Sequence, residues 1–293
     1  MNRKRPPTEH PLALVLGLAL VLAAGHPTHA ASTDITVKGS DTLVVLMRRW
    51  AQAYASHHPG LNIQVTGGGT GTGIAALVNR TTDLCMASRP LRTDELEAAV
   101  KAFRRRPVGY EVALDAVAVF VHDTNPITAL DLQDLARLFH GRIGNWRDLG
   151  GPNLPVVLYG RENSSGTYEF FKDQVLHGGD FAPSTQALPG TAAVLAAVTR
   201  DPGGIGYGGV GFAEGARALG VRSGKGTPAI APGPAEVTSG LYPISRPLLL
   251  YVNPALDAGP PGEFASWTLT EAAQGMVHSV GCHPVSAGRR APR

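Results

Sequence analysis

The sequence predicts an α/β protein built from two lobes with a ligand cleft between them. Three observations predict this fold class. Strand-like and helix-like segments alternate along most of the chain, hydroxyl-rich glycine turns join several of them, and two longer apolar runs interrupt the alternation. The 293 residues suffice for two hydrophobic cores, and the 36 glycines and 23 prolines predict many tight connections.

The helical spacing of apolar residues predicts seven helices, at residues 42–57, 73–80, 93–105, 131–139, 166–177, 191–200 and 270–279. Alternating apolar residues predict strands around residues 35–37 and 61–65, which lead into the first two helices. The two longer runs, 112–121 and 241–252, are predicted to be the two crossings between the lobes. Residues 31–112 together with 240–293 would then form the first lobe, and residues 113–239 the second.

The N-terminus predicts export from the cytoplasm. Arg3, Lys4 and Arg5 precede an apolar run at residues 12–25, and small residues follow around Ala30, where a signal peptidase would cut. Residues 1–30 are therefore predicted to be a secretory signal peptide, and the apolar run is short for a membrane span. No cysteine stands at the cleavage point, which argues against a lipid anchor.

Charge and composition exclude several function classes. The formal net charge is +3, and removal of residues 1–30 takes away three basic residues and one acidic residue, which leaves 23 basic against 22 acidic residues. This balance gives no electrostatic basis for binding nucleic acid. The ten histidines show no ligand spacing, so no metal ion or other cofactor is predicted. Cys85 lies in an apolar run, which favours a buried thiol over a disulfide with Cys282.

Residues 161–171 have the pattern of an oxyanion-binding turn. A helix start leaves backbone N–H groups without partners in the helix, so Ser165, Gly166 and Thr167 can direct several donors at one anion. Arg161, four residues before Ser165, adds a planar donor suited to phosphate or carboxylate. Taken alone, the segment is equally compatible with an ordinary capped helix and a surface arginine.

Two further turns of the same type favour an anion site. Ser40, Asp41 and Thr42 lie between a predicted strand and a helix, and the glycine-rich turn at residues 67–73 carries Thr70 and Thr72. The glycine spacing does not fit the dinucleotide fingerprint, and the Gly224-Lys225 pair does not fit the Walker motif. Neither a Rossmann cofactor site nor nucleotide hydrolysis is therefore predicted.

Taken together, the motifs resemble those of PstS-like phosphate-binding proteins of bacterial ABC importers, and they occur in that family's order. They are KGSDT at residues 38–42, TGGGTGTG at 66–73, MASRP at 86–90, NW at 145–146, RENSSGTYEFF at 161–171, GIGY at 204–207 and YPISRP at 242–247. The resemblance implies a type II periplasmic-binding-protein fold. It also implies that the protein delivers inorganic phosphate to an inner-membrane ABC permease, and a monomer is the simplest expectation.

The resemblance implies phosphate ligands position by position. They are Thr42 with its neighbour Ser40, Thr70 with Thr72 as a second hydroxyl, Ser88, and the set Arg161, Ser165, Gly166 and Thr167. Some family members carry an aspartate after the serine of the MASRP motif, where it accepts the proton of hydrogen phosphate, but this chain has Arg89. We therefore expect the acceptor to come from elsewhere and assign it to Asp41. An N-cap or first-turn carboxylate is the alternative for Asp41. Arg89 is included among the predicted phosphate-binding residues because it would add a second cation beside Ser88, and a surface ion pair is its alternative.

The leading hypothesis is thus a binding protein without catalytic activity. A secreted hydrolase acting on phosphate esters, with Ser165 or Ser88 as nucleophile, is the rival from another class, but the chain has no GxSxG elbow. A protein of the same fold that binds sulfate, or that serves in sensing or adhesion, is the third possibility.

Overall fold

A computed structural model describes residues 1–2, 33–212 and 215–285 of the chain. The predicted signal peptide lies almost wholly outside the described residues. The strands are β1 (Thr33–Gly39), β2 (Leu61–Thr66), β3 (Leu84–Ala87), β4 (Val108–Val121), β5 (Ala129–Asp131), β6 (Val157–Arg161), β7 (Gln186–Leu188), β8 (Gly204–Gly209), β9 (Arg217–Ala218), β10 (Gly220–Arg222) and β11 (Ser245–Val252).

The helices are α1 (Asp41–Ala55), α2 (Thr70–Val78), α3 (Thr93–Phe103), α4 (Leu132–Phe139), α5 (Gly166–Gln174), α6 (Gly190–Val198), α7 (Pro234–Thr238), α8 (Pro260–Trp267) and α9 (Glu271–Gln274). Short 3-10 helices occupy Trp146–Leu149, Val210–Phe212 and Val277–Val280. The first six predicted helices are confirmed as α1 to α6. Within the described residues, none of the helices combines the length and the hydropathy that a membrane span requires.

The seventh predicted helix is wrong as a continuous element. In place of 270–279 the chain forms the single turn of α9, which ends at the C-cap Gly275, and then a separate 3-10 turn. The side chain of Gln274 explains the break: its Nε2 donates to Val112 O at 2.9 Å and to Thr268 O at 2.7 Å, and its Oε1 accepts from Val285 N at 2.8 Å. This buried amide satisfies backbone groups outside the helix, so packing overrides the apolar periodicity.

The main sheet runs through both lobes in the strand order β2-β1-β3-β11-β4-β8-β6-β7, with β9 also paired to β4. β1 is parallel to β2 and β3, whereas β6 is parallel to β7 and β8. The fourteen residues of β4 connect the two parts, since its first half pairs with β11 and its second half with β8. Both predicted crossings are therefore confirmed as neighbouring antiparallel strands.

Two large hydrophobic cores lie on either side of these crossings. One contains the apolar face of α1, including Leu43, Leu46 and Trp50, and the other contains Phe139, Trp146 and further residues between 116 and 244. The fold is thus the predicted two-lobed α/β fold. The boundaries at 112/113 and 239/240 stay a prediction.

The remaining structural predictions concern single side chains. Cys85 and Cys282 are both buried free thiols, as favoured for Cys85. Trp50 and Trp146 are fully buried core residues, and Trp267 packs at the edge of the first core.

Candidate anion-binding site

Three helix starts lie at the carboxyl ends of strands of the main sheet. β1 leads through Ser40 into α1, β2 leads through the glycine turn into α2, and β6 leads through residues 162–165 into α5. Short connections from parallel strands bring such helix N-termini to one edge of a sheet. The first two turns belong to the first lobe and the third to the second lobe.

The start of α5 is held by its own serine. Ser165 is the N-cap, and its Oγ accepts from Thr167 N at 3.2 Å and from Tyr168 N at 3.4 Å. Gly166 packs directly against the first lobe: a methyl group in its place would collide with the Thr70 hydroxyl and lie 2.6 Å from Ser88 Oγ. Only glycine therefore lets the helix start approach the first lobe this closely.

Hydroxyl groups from both lobes meet at this contact. Thr42 Oγ1 lies 3.5 Å from Thr167 Oγ1, and Thr70 Oγ1 lies 3.2 Å from Ser88 Oγ. All four side chains are buried, with exposed fractions between 0% and 6%. A backbone bond from Gly71 N to Ser164 O, 3.0 Å long, joins the glycine turn to the turn before α5. The three predicted turns thus form one cluster.

Arg161 lies beside the cluster and is 2% exposed. Its Nη2 donates to Asp41 Oδ2 at 3.0 Å and to Glu162 Oε1 at 2.9 Å, its Nε donates to Glu162 Oε2 at 3.2 Å, and its Nη1 donates to Thr191 Oγ1 at 3.1 Å. These bonds use four of the five N–H groups of a guanidinium. Burial pushes the pKa of Glu162 upwards, but the hydrogen bonds and charge of Arg161 outweigh it and hold that pKa below its ordinary value.

Asp41 connects all three turns. It occupies the first position of α1, where a carboxylate is stabilised by the helix dipole. Its Oδ1 accepts from Gly68 N at 2.9 Å in the glycine turn, while its Oδ2 accepts from Arg161 in the opposite lobe. Asp41 therefore holds the arginine of the second lobe against the first lobe.

Comparison with known proteins identifies the family. A model of the PBP superfamily domain matches residues 24–272 of the chain. The phosphate-binding protein PstS of Pseudomonas aeruginosa is 33% identical, over 87% of this chain and 84% of that protein. This chain is a PstS-like member of the PBP superfamily. Protein SphX of Synechococcus elongatus is 30% identical, over 82% of this chain and 75% of that protein.

Solved structures of PstS-like proteins share the fold. One is described as a putative phosphate ABC transporter substrate-binding protein with bound phosphate from Clostridium perfringens; it matches with a TM-score of 0.78 and 25% identity, over 87% of this chain and all (100%) of that one. An ABC-type phosphate transport receptor from Vibrio cholerae matches with a TM-score of 0.70 and 24% identity, over 86% of this chain and 100% of that one. The resemblance predicted from the motifs is confirmed.

Most of the predicted site residues of this PstS-like chain lie in the cluster or against it. Ser40, the N-cap of α1, is 2% exposed and donates its N–H to Met86 O at 2.9 Å. The cluster and its immediate neighbours comprise Ser40, Asp41, Thr42, Thr70, Ser88, Arg161, Ser165, Gly166 and Thr167.

Thr72 and Arg89 have partners outside the cluster. Thr72 is exposed, and its hydroxyl donates to Gly68 O at 2.6 Å and Gly69 O at 2.8 Å within its own turn. Arg89 is buried, but its Nη1 and Nη2 each donate to a carboxylate oxygen of Glu95 at 2.7 Å. The ion pair considered as an alternative for Arg89 is therefore present, although it is buried rather than at the surface.

Sequence reasoning missed Arg246. This residue of β11 is 2% exposed, and its Nη2 donates to Thr167 Oγ1 at 3.0 Å and lies 3.4 Å from Thr42 Oγ1. It pairs with Asp115 of β4. The available signal was its position in an apolar crossing strand, because an arginine there is rarely fully buried unless it is paired.

The chemistry of the cluster is that of a hydrogen-bond donor site. Hydroxyls, helix-start amides and guanidinium groups can all donate to an anion in a region shielded from water. No group of three or more His, Cys, Asp and Glu residues suited to a metal ion occurs within residues 33–212 and 215–285. Across the same ranges, the hydrogen bonds of Ser88 and Ser165 connect neither hydroxyl to a histidine or a carboxylate.

Proposed function

We propose that this protein is a periplasmic substrate-binding protein that captures inorganic phosphate and delivers it to an ABC-type importer. The observation that carries the proposal is the contact between the hydroxyls of Thr42 and Thr167, one from each lobe. They lie 3.5 Å apart, beside the buried guanidinium of Arg246. A ligand that contacts both sides of a hinge favours the closed form. Closure around phosphate would create the surface that the permease recognises.

The proposed phosphate ligands follow from this geometry. Thr42, Thr70, Ser88 and Thr167 supply hydroxyl donors, and the starts of α1 and α5 supply backbone N–H groups. Arg161 supplies a guanidinium fixed in orientation by Asp41 and Glu162. The names of PstS from Pseudomonas aeruginosa and of the Clostridium perfringens structure with bound phosphate favour phosphate over sulfate as the ligand.

The protein is proposed to work without catalysis, as a monomer, and after removal of a signal peptide near Ala30. A serine nucleophile needs a neighbouring base, and the described contacts of Ser165 instead satisfy the start of α5. Incubation with a chromogenic phosphate ester should therefore give no turnover. Turnover that disappears in Ser165→Ala would replace the proposal with the hydrolase.

Titration calorimetry of the purified protein against phosphate, arsenate, sulfate and a phosphonate tests the ligand. We expect phosphate to bind most tightly, and Thr167→Val to weaken it because the isosteric side chain lacks the hydroxyl. Stronger binding of sulfate, or no binding of any oxyanion in this panel, would contradict the proposal. Fractionation by osmotic shock tests the periplasmic location, and phosphate uptake by cells lacking the protein tests the role in transport.

A further inference from the structure

Arg246 and Asp115 form a buried pair between the two crossings. They lie directly opposite each other in the β4–β11 ladder, and both side chains are essentially inaccessible, at 0% and 1% exposure. Arg246 Nε and Nη2 donate to the same oxygen, Asp115 Oδ2, at 3.0 and 2.8 Å. Since strand pairing fixes both backbones, the guanidinium is held in one orientation relative to the hinge.

The same guanidinium contacts one hydroxyl from each lobe. Its Nη2 lies 3.0 Å from Thr167 Oγ1 and 3.4 Å from Thr42 Oγ1. An arginine N–H can only donate, and Nη2 has two hydrogens, one of which goes to Asp115 Oδ2. The two threonine oxygens therefore act as acceptors and share the other hydrogen. A hydroxyl that accepts from arginine keeps its own hydrogen for another acceptor, and an anion between the lobes would be such an acceptor.

Burying the Asp115–Arg246 ion pair costs desolvation free energy. The Nη1 group of Arg246 has no hydrogen-bond partner within the described part of the chain, although it is fully buried. Replacing a buried ion pair by apolar side chains is often neutral or stabilising, so stability alone gives little reason for a pair at this position. The contacts of Arg246 with Thr42 and Thr167 indicate instead that the pair serves the anion site.

We propose that Arg246 is a positioning residue that fixes the hydroxyls of Thr42 and Thr167 as donors to the bound oxyanion, with Asp115 as its counter-ion. The proposal rests on the proposed phosphate-binding function and adds a specific determinant of affinity to it. Arg246 belongs to a crossing strand and contacts a threonine of each lobe. Closure of the hinge therefore brings both hydroxyls to the guanidinium, with their hydrogens available to the anion.

A double-mutant cycle tests this role. The pair is neutralised as Asp115→Asn with Arg246→Gln, so that no unpaired charge stays buried, and phosphate affinity is measured by calorimetry in two backgrounds. In the wild-type background we expect at least a tenfold loss. In a Thr42→Val, Thr167→Val background, where the two hydroxyls are gone, we expect less than a threefold further loss.

A matched control uses a second buried ion pair, Arg89 with Glu95, which lies within the first lobe. Neutralising Arg89 and Glu95 as Arg89→Gln with Glu95→Gln should change affinity by the same factor in both backgrounds, because this pair does not contact either threonine. Thermal unfolding of the ligand-free variants reports whether each one folds. If the neutralised Asp115–Arg246 pair does not fold, Arg246→Lys replaces it in the cycle, since lysine keeps the charge but loses the forked geometry.

The outcomes separate the two proposals. Wild-type protein that fails to bind phosphate overturns the proposed function. Wild-type protein that binds phosphate, with equal losses from the Asp115–Arg246 change in both backgrounds, overturns only the positioning role of Arg246. A loss confined to the background that retains the threonine hydroxyls supports it.

Discussion

The ends of strands β3 and β6 each present a buried arginine, but the two guanidinium groups have partners in different places. Arg89, just after β3, forms both of its carboxylate bonds with Glu95 of the same lobe. Arg161, the last residue of β6, binds Glu162 beside it and also Asp41, which is 120 residues away in the opposite lobe. The pair of Arg89 is complete within one lobe, whereas that of Arg161 requires both lobes to be together.

Arg89 thus forms an ion pair within one lobe, whereas Arg161 forms an ion pair that depends on closure of the two lobes. In both places a nearby arginine lowers the pKa of a glutamate, Glu95 or Glu162, against the opposing effect of burial. Electrostatics alone therefore does not distinguish them. The distinction lies in whether the counter-ions belong to one lobe or to two, because only the second arrangement changes when the hinge moves.

Arg161→Ala should weaken phosphate binding more than any other variant discussed below. Truncating one partner of a desolvated, hydrogen-bonded charge pair costs about 2 to 5 kcal/mol, which is roughly 30- to 5,000-fold in affinity. Arg89→Ala should destabilise the first lobe but weaken phosphate binding much less, since its partner is Glu95. Calorimetry and thermal unfolding of both variants give the comparison, and small, equal losses of affinity would mean that the site is misplaced.

The positions of the three turns were predictable from the sequence, because strand, glycine or hydroxyl, and helix start are local signals. The partners of the arginines were not predictable, since Glu95 and Asp41 are selected by packing between distant segments. Arg246 was missed for the same reason: its counter-ion, Asp115, and its hydroxyl partners lie in three other segments. Among the helices, α8 was missed because Pro260 and Pro261 open it without an apolar period.

The second prediction concerns Asp41, whose carboxylate accepts a hydrogen bond from Arg161 of the opposite lobe. Asp41→Asn removes a charged acceptor from Arg161, and hydrogen bonds to charged groups contribute about 1.5 to 3 kcal/mol. If Asp41 also accepts the proton of hydrogen phosphate, sulfate affinity should fall less than phosphate affinity, since sulfate carries no proton. Competition calorimetry with the two anions measures the ratio. An unchanged ratio would leave Asp41 with the positioning of Arg161 alone.

Gly166→Ala tests the cross-lobe contact without changing any charge. The added methyl group would clash with the Thr70 hydroxyl and crowd Ser88, both in the first lobe. Overpacking of this kind costs about 1 to 3 kcal/mol, so we expect phosphate affinity to fall roughly 5- to 150-fold. Gly144→Ala is the matched control, because a methyl group there meets nothing within 4 Å. Equal affinities of the two variants would show that the lobes need not approach this closely to bind phosphate.

Removing the exposed cross-lobe ion pair of Arg92 and Glu169 should reduce phosphate affinity least. Arg92 Nη1 lies 3.2 Å from Glu169 Oε1, but the Arg92 side chain is 46% exposed. Exposed pairs contribute about 0.2 to 1 kcal/mol, so Glu169→Gln should weaken phosphate binding by less than about fivefold. The loss should shrink further in salt, which screens exposed charges. Arg137→Gln, which removes the exposed Arg137–Asp134 pair within the second lobe, is the control and should leave the affinity unchanged. A salt-independent loss in Glu169→Gln would mean that this contact acts through packing of α5 rather than through charge across the cleft.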